Sequence, residues 1–527
     1  MSALLLVIVG LGAPGFLPAL AVAGRAPVLV FLAPLIGAGM AAVAAELELG
    51  VGGSLPTCYA VVAVAANVAV IAWWLAAGRF RLRAGPPWGW SIVTVVAVLG
   101  ALIIPLSALR APIIGWDANS IWLTHALMVS GGHHELLAGL QNAVYRFSNP
   151  DYPPLVPAAG ALAFALFGRG DLHVAIDVTV LLNACALGIV GTGVAAVGSR
   201  RRQVTRLVAI AAAGAICLVG FAVSGGYGVD GYADLLWAAA AVGAIIWGLV
   251  LPRSTQTLVV ASICAAVASL TKNEGLTTAL IVLILIALRY RPLTLPGLRR
   301  LRAHPENRGL PDAAASQMAR KWTERAAFVV VPALPGLAWA VMARLIGLQN
   351  AFFVSSSTES LLSRADATIA GMAAHLAVAP VAVAVLVAGC CFLRRDRERA
   401  RLGNPAWLWT ACLVSLAIIF ATYLFGAFEI HGWLANSVNR TTIFAQVLLY
   451  ADLAIWLVLA FDGVSAHEGS EQREASPAAV SAAGDAGHDR EAGSLALAEG
   501  PGRLTGLAGA GRSRPAGPGT PQAESKY

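Results

Sequence analysis

The hydrophobic positions of this chain come in long blocks. Apolar runs of spanning length fall near 2–23, 27–46, 56–78, 88–109, 172–198, 207–224, 232–251, 255–270, 276–289, 326–347, 369–393, 406–427 and 441–460. A bilayer core takes about 20 consecutive apolar residues per helical crossing, so the pattern predicts about thirteen transmembrane helices in an all-α polytopic fold. The shortest run, 276–289, needs flanking residues or protein contact to cross. The apolar stretch 154–168 is too short to count as a span and reads as an interfacial or re-entrant helix.

The polar residues between the blocks set an orientation. With the N-terminus outside and one crossing per block, 29 of the 36 Lys and Arg residues fall inside, and 23 still do when the tail is left out. That asymmetry is the positive-inside rule at work. The basic loop 289–325 then takes a topological role and meets anionic headgroups. The tail from 461 to 527 is rich in Ala, Gly, Ser, Pro and Glu. It has too little apolar surface to offset its ordering entropy, so it is expected to be disordered and cytoplasmic.

Composition narrows the class. The 527 residues are 58% hydrophobic and 12% charged, against about 25% charged in soluble domains. An ordinary cytosolic enzyme, a secreted disulfide scaffold and a disordered regulator are excluded. The net charge of +8 follows from the loop arginines and does not signal nucleic acid. All seven cysteines lie in apolar segments without metal-type spacing and read as small buried hydrophobes. The first apolar block lacks a basic leader, which argues against a cleaved signal peptide.

Four stretches on the outer side hold nearly all the unusual polar residues. They are 110–171, with GWDANSIW, GGHHE and NPDYPPL; SGGYGVDGYADLLW at 224–237; LTKNEGL at 270–276; and FEIHGWLANSVNRT at 428–441. An ionisable group at membrane depth costs about 2.5–3.5 kcal/mol on insertion scales and reads as functional by default. The pattern therefore predicts that Asp117, Asp151, Asp230, Asp234, Lys272, Glu274 and Arg440 converge on one aqueous-facing cavity. Each has a structural alternative. Asp117 and Asp234 could cap helices, and Asp151 could belong to a turn before a Pro pair. Lys272 and Glu274 could neutralise each other, and Arg440 could snorkel to headgroups. His133, His134 and Glu135 could ligate a metal, but after Gly-Gly they read better as a loop.

Taken in order, WDAN-x-IW, NPDYPPLVP, GYADLLWA, LTKNEGL and HGWLANSVNRT resemble the GT-C class of membrane glycosyltransferases over about residues 88–460. The likeness is to the bacterial branch related to Rgt-type lipopolysaccharide sugar transferases and, more distantly, to protein O-mannosyltransferases and the aminoarabinose transferase. The resemblance implies N-terminal transmembrane helices over 1–87 and a catalytic transmembrane core over 88–460, with short interfacial helices in the outer loops. It implies a bacterial plasma-membrane enzyme whose active site lies on the extracytoplasmic face. The donor would be a polyprenyl-phosphate sugar, and the acceptor a cell-envelope glycan, lipid or protein. Asp117 takes the role of general base on the acceptor hydroxyl, and Lys272 and Arg440 that of cations at the lipid phosphate. Asp151, Tyr152, Tyr232, Asp234, Glu274 and His431 join the substrate-binding set. Asp117 has no acidic neighbour in sequence, which leaves a divalent metal open. A transporter or flippase, or a polymerase or ligase of lipid-linked sugars, is the alternative.

Overall fold

The computed structural model describes residues 2–24, 26–76, 88–106, 115–167, 171–199, 201–290, 312–348, 359–376 and 405–474. The chain divides into two units, 1–467 and 468–527. Of the second, 468–474 are described, as the end of the last helix. The Arg-rich stretches at 79–83 and 394–401, most of 289–325, residues 377–393 and the tail from 475 onward lie outside the described residues.

The regular structure among the described residues of the first unit is helical. The opening helices are α1 (Ser2–Ala23), α2 (Leu29–Val51), α3 (Leu55–Ala76) and α4 (Trp88–Leu106). The short pieces α5 (Thr124–Ser130), α6 (His133–Gln141) and α7 (Leu155–Phe167) follow. Next come α8 (Leu172–Gly198), α9 (Gln203–Val223), α10 (Asp234–Ile245), α11 (Thr255–Thr271) and α12 (Asn273–Arg289). The last are α13 (Asp312–Leu345), α14 (Leu361–His375), α15 (Pro405–Phe425) and α16 (Ile430–Glu474). Among the described residues there is no strand.

Among the described residues seven helices are long and apolar enough to cross a membrane, against the thirteen spans expected of the whole chain. Their apolar segments are Leu29–Val51, Leu55–Ala76, Leu172–Gly198, Gln203–Val223, Arg320–Leu345, Trp407–Phe425 and Ile430–Phe461. Several other expected spans are helices of 17 residues or fewer, among them Thr255–Thr271 and Asp234–Val250. The latter is buried throughout. It closes in a π-helical turn at Ile246–Val250 before Pro252, whose missing N–H and fixed φ do not continue a helix. The expected interfacial piece at 154–168 is the 13-residue helix α7. The last helix continues through 461–474, past the point at which the sequence predicts disorder to begin.

The apolar residues sort by face. On α3, Val61, Val64, Val68, Ile71 and Leu75 are exposed and recur every three or four residues, which makes one continuous stripe of the helix. A soluble monomer rarely leaves such a stripe bare, so lipid is its natural solvent, and the protein is membrane-embedded. The opposite case is α8, whose middle is buried on every side and forms the axis of the core with α10, α11 and α16. The five described cysteines, Cys58, Cys185, Cys217, Cys264 and Cys412, are buried free thiols.

Two close crossings fix the frame. α1 and α2 meet where a Cβ on Gly15 would lie 2.1 Å from the Ala33 carbonyl oxygen and one on Gly37 would lie 1.9 Å from that of Leu11. Gly37→Ala is therefore expected to push the helices apart and cost about 1–3 kcal/mol. Gly39→Ala, on the same helix with nothing within 4 Å, is the control. Thermal unfolding in detergent should separate the two variants, and equal melting would contradict the crossing. The second contact is Gly275, whose Cβ would sit 2.1 Å from the Ala268 carbonyl oxygen. It draws α11 and α12 into a tight hairpin and brings Lys272, Asn273 and Glu274 to its tip.

Candidate functional site

A cavity of about 630 Å³ opens beside that hairpin, within the usual range for small-molecule sites. Its walls come from five stretches far apart in sequence: 116–152, Trp237 of α10, the start of α12, one face of α15 and 428–441 at the start of α16. One end is charged, lined by Asp117, Lys272, Glu274 and Arg440. Another part of the lining is aromatic, with Tyr423, Phe428 and Trp433. Ser415, Ile418, Ile419 and Thr422 of α15 face Thr277, Thr278 and Ile281 of α12 across the apolar remainder. Both sets repeat every three or four residues, as one face of a helix must.

The charged end is a chain of ion pairs. Asp117 stands immediately before a π-helical turn at Ala118–Leu123, an irregularity that often accompanies functional sites. Its carboxylate caps no backbone N–H. Instead Arg440 Nη1 donates to Asp117 Oδ2. The same Nη1 lies 4.0 Å from Asp234 Oδ2, while Asp234 Oδ1 accepts from Lys272 Nζ at 2.8 Å. Lys272 Nζ is also 3.6 Å from Glu274 Oε1. Asp234 is 1% exposed, whereas Asp117 and Arg440 keep 13% and 16% of their side-chain surface. The outer pair therefore touches the cavity and the inner carboxylate backs it.

Aromatic rings and amides hold these charges in place. The Arg440 guanidinium lies over Tyr232 at 5.4 Å and Tyr227 at 5.9 Å, a cation–π arrangement. The Tyr232 hydroxyl accepts from the Asp117 backbone N–H at 3.3 Å. Asn183 of α8 donates to the carbonyls of Gly228 and Tyr232 at 2.9 and 3.3 Å and anchors that loop to the core. Lys272 Nζ sits 5.4 Å from the Tyr152 ring centre, and Tyr152 stacks on Trp122 at 5.6 Å. Burial alone would lower the Lys272 pKa. The carboxylates of Asp234 and then Glu274 outweigh it and hold the ammonium above the ordinary lysine value. Its contribution to stability is thus complete below the ordinary lysine pKa and fades only as pH climbs through the higher folded value. Tyr152 moves upward as well, chiefly through burial, so its hydroxyl stays protonated at neutral pH.

The predicted residues divide accordingly. Asp117, Tyr152, Lys272, Glu274 and Arg440 line the cavity. Asp234 and Tyr232 stand directly behind it. Asp151 is a strut: its carboxylate accepts from Asn273 Nδ2 at 2.7 Å and its carbonyl from Trp339 Nε1 at 2.8 Å, pinning NPDYPPL to the hairpin tip and α13. The convergence expected of Asp230 is not seen. Its carbonyl receives the Gly115 N–H at 3.2 Å, and it is absent from the lining. His431 also needs correction: it is exposed and off the wall, because the helical turn that points Gly432, Trp433, Asn436 and Arg440 inward carries it outward. Arg440 does not snorkel, since Asp117 and Asp234 draw it inside.

A cation site around Asp117 does not fit these side chains. The carboxylate faces a guanidinium, and among the described residues no group of three or more His, Cys, Asp or Glu is placed to hold a metal. His133, His134 and Glu135, which read as a loop, open helix α6 instead, and His133 has its Nδ1 3.0 Å from the Glu48 backbone oxygen and its ring against His134.

The aromatic wall was not foreseen from sequence. Tyr423 packs on Trp433 at 4.7 Å and Phe428 on Trp433 at 5.4 Å. The Tyr423 hydroxyl is 2.7 Å from Ser437 Oγ and 3.1 Å from Thr441 Oγ1. Glu429 accepts from the backbone N–H groups of Gly432 at 2.6 Å and His431 at 2.9 Å, which hold its carboxyl below the usual range. Behind the wall, Arg364 of α14 is buried. It donates to the carbonyls of Tyr423, Leu424 and Phe428 and to Glu359, and Glu359 accepts from the Ile430 N–H. One arginine thus ties together the end of α15 and the start of α16. Arg364, Thr368 and Met372 recur every four residues on the buried face of α14, a spacing that does not by itself mark the arginine as buried.

Comparison with protein-family models, curated proteins and solved structures finds no match to this chain.

Proposed function

We propose that this chain is a GT-C-like glycosyltransferase. It moves a sugar from a polyprenyl-phosphate donor to an acceptor hydroxyl of the cell envelope, at the outer face of a bacterial plasma membrane. In this reading the shorter apolar helices complete about thirteen crossings, with the N-terminus outside and the tail cytoplasmic. One observation carries the proposal. Asp117 and Arg440, 323 residues apart in sequence, are paired and share one cavity with Lys272, Glu274 and a set of apolar and aromatic side chains.

The chemistry fits that division. Asp117 is the only carboxylate on the wall that is paired to a cation of a distant helix and spent on no backbone group. It takes the acceptor proton, the acceptor oxygen forms its bond to the anomeric carbon from the face opposite the leaving group, and the carbon–oxygen bond to the phosphate breaks with its electron pair going to the phosphate. The configuration inverts. A positioned base contributes about 10²–10⁴-fold, and cations aimed at the leaving oxygens stabilise the charge that grows there. Arg440 offers a fork and Lys272 a point charge for those oxygens. The apolar slot between α12 and α15 suits the first isoprene units, and the Tyr423–Phe428–Trp433 wall suits a sugar ring.

Purified protein in nanodiscs, incubated with radiolabelled polyprenyl-phosphate sugars, separates the possibilities. Covalent transfer to an acceptor supports the reading. Movement of intact donor across the bilayer without transfer points to a flippase, and neither outcome removes catalysis altogether. Arg440→Gln should slow transfer about 10²-fold or more with the acceptor KM unchanged. An unchanged kcat would remove Arg440 from the leaving-group site.

A further inference from the structure

We propose that Arg440 is a shared, movable cation, released from Asp117 toward the donor phosphate when Asp117 takes up the acceptor proton, with Asp234 as the carboxylate that retains it. The proposal rests on the transferase reading above and adds a coupling between its two halves.

At rest Arg440 is held on the Asp117 side of the site, because its Nη1 donates to Asp117. Its Nε has no hydrogen-bond partner. The second carboxylate in reach is Asp234, whose Oδ2 is buried, unpartnered and 4.0 Å from Arg440 Nη1. Asp234 is fixed, since its other oxygen is held by Lys272 at 2.8 Å. A displacement of about 1 Å by Arg440 alone turns the 4.0 Å approach into a hydrogen bond of ordinary length. Tyr232 and Tyr227 lie beneath the guanidinium, so it slides over aromatic faces without being stranded in apolar surroundings. The charged groups facing it are Asp117, Asp234, Lys272 and Glu274.

The timing follows from charge. When the acceptor proton reaches Asp117, the anion holding Arg440 disappears. In the same step the electron pair of the breaking carbon–oxygen bond arrives on the phosphate. The guanidinium thus leaves a vanishing charge for a growing one, and Asp234 prevents it from becoming an unpaired buried cation, which would be costly.

Asp117→Asn imitates the protonated state. Binding of farnesyl phosphate to the full chain in nanodiscs should therefore tighten by about fivefold or more in Asp117→Asn, and Arg440→Gln in that background should abolish the gain, a coupling that a double-mutant cycle reads directly. Equal or weaker binding by Asp117→Asn overturns the proposal. Inorganic phosphate run in parallel identifies the source: a gain confined to inorganic phosphate would overturn a lipid-borne ligand. As a second measurement, Asp117→Asn should lower Tm more in an Asp234→Asn background than in the parent, where Asp234 still retains Arg440, and an equal effect in both backgrounds would refute the retaining role of Asp234. These failures are distinct from failure of the reading itself. Sugar transfer by Asp117→Asn would remove the base, and absence of prenyl-phosphate binding in every form would remove the phosphate site together with this proposal.

Discussion

Asp117→Asn should lose sugar transfer by about 10²–10⁴-fold, the range a positioned general base contributes, while folding as the parent does. Asparagine keeps the volume of the side chain, and the Arg440 guanidinium still lies over Tyr232 and next to Asp234. What it lacks is the ability to take a proton. Donor turnover and thermal unfolding measured on the same preparation separate the two properties. Transfer at the parental rate would end the assignment of the base. A large fall in Tm accompanying the lost turnover would instead give Asp117 a structural role.

The largest stability effect is expected at Arg364. Its side chain is 1% exposed and it donates to three backbone carbonyls and to Glu359. Arg364→Ala removes those donors and leaves the Glu359 carboxylate without its cation. Each buried carbonyl left without its donor costs about 1–3 kcal/mol, so the loss is expected to reach about 3–5 kcal/mol. The damage should also reach the cavity, because the carbonyls in question belong to Tyr423, Leu424 and Phe428, where the aromatic wall turns from α15 into α16. Arg364→Lys should recover only part of the loss, since an ammonium cannot reproduce the planar fork. Melting curves of both variants decide this, and an Arg364→Ala protein within about 1 kcal/mol of the parent, the scale of an exposed ion pair, would show that the clamp bears little of the fold.

The helical, membrane-embedded character was legible because apolar blocks of about 20 residues leave a chain few alternatives in lipid. The span count was less legible. Asp234–Val250 and Thr255–Thr271 are 17 residues or fewer, short of the about 20 that a full crossing takes, and a hydropathy pattern alone does not fix where a helix ends. Much of the charged end of the cavity was also readable, since Asp117, Lys272, Glu274 and Arg440 are expensive residues in apolar surroundings. Their pairing was not readable. Nothing in the order of the sequence says that Arg440 meets Asp117, or that Asp234 stands behind both. His431 and Asp151 were drawn in by their neighbours along the chain, yet the phase of a helix and a hydrogen bond to Asn273 place them elsewhere. Arg364 escaped because one arginine on a short amphipathic helix resembles a surface residue until its carbonyl partners are known.

The most direct test of the account is a cryo-electron microscopy structure of the protein with a non-hydrolysable polyprenyl-phosphate sugar bound. The account predicts phosphate oxygens within about 3 Å of the Arg440 or Lys272 nitrogens, the anomeric carbon between the phosphate and the Asp117 side of the cavity, and the prenyl chain in the slot between α12 and α15. A phosphate seated away from both cations, or a sugar turned away from Asp117, would contradict it.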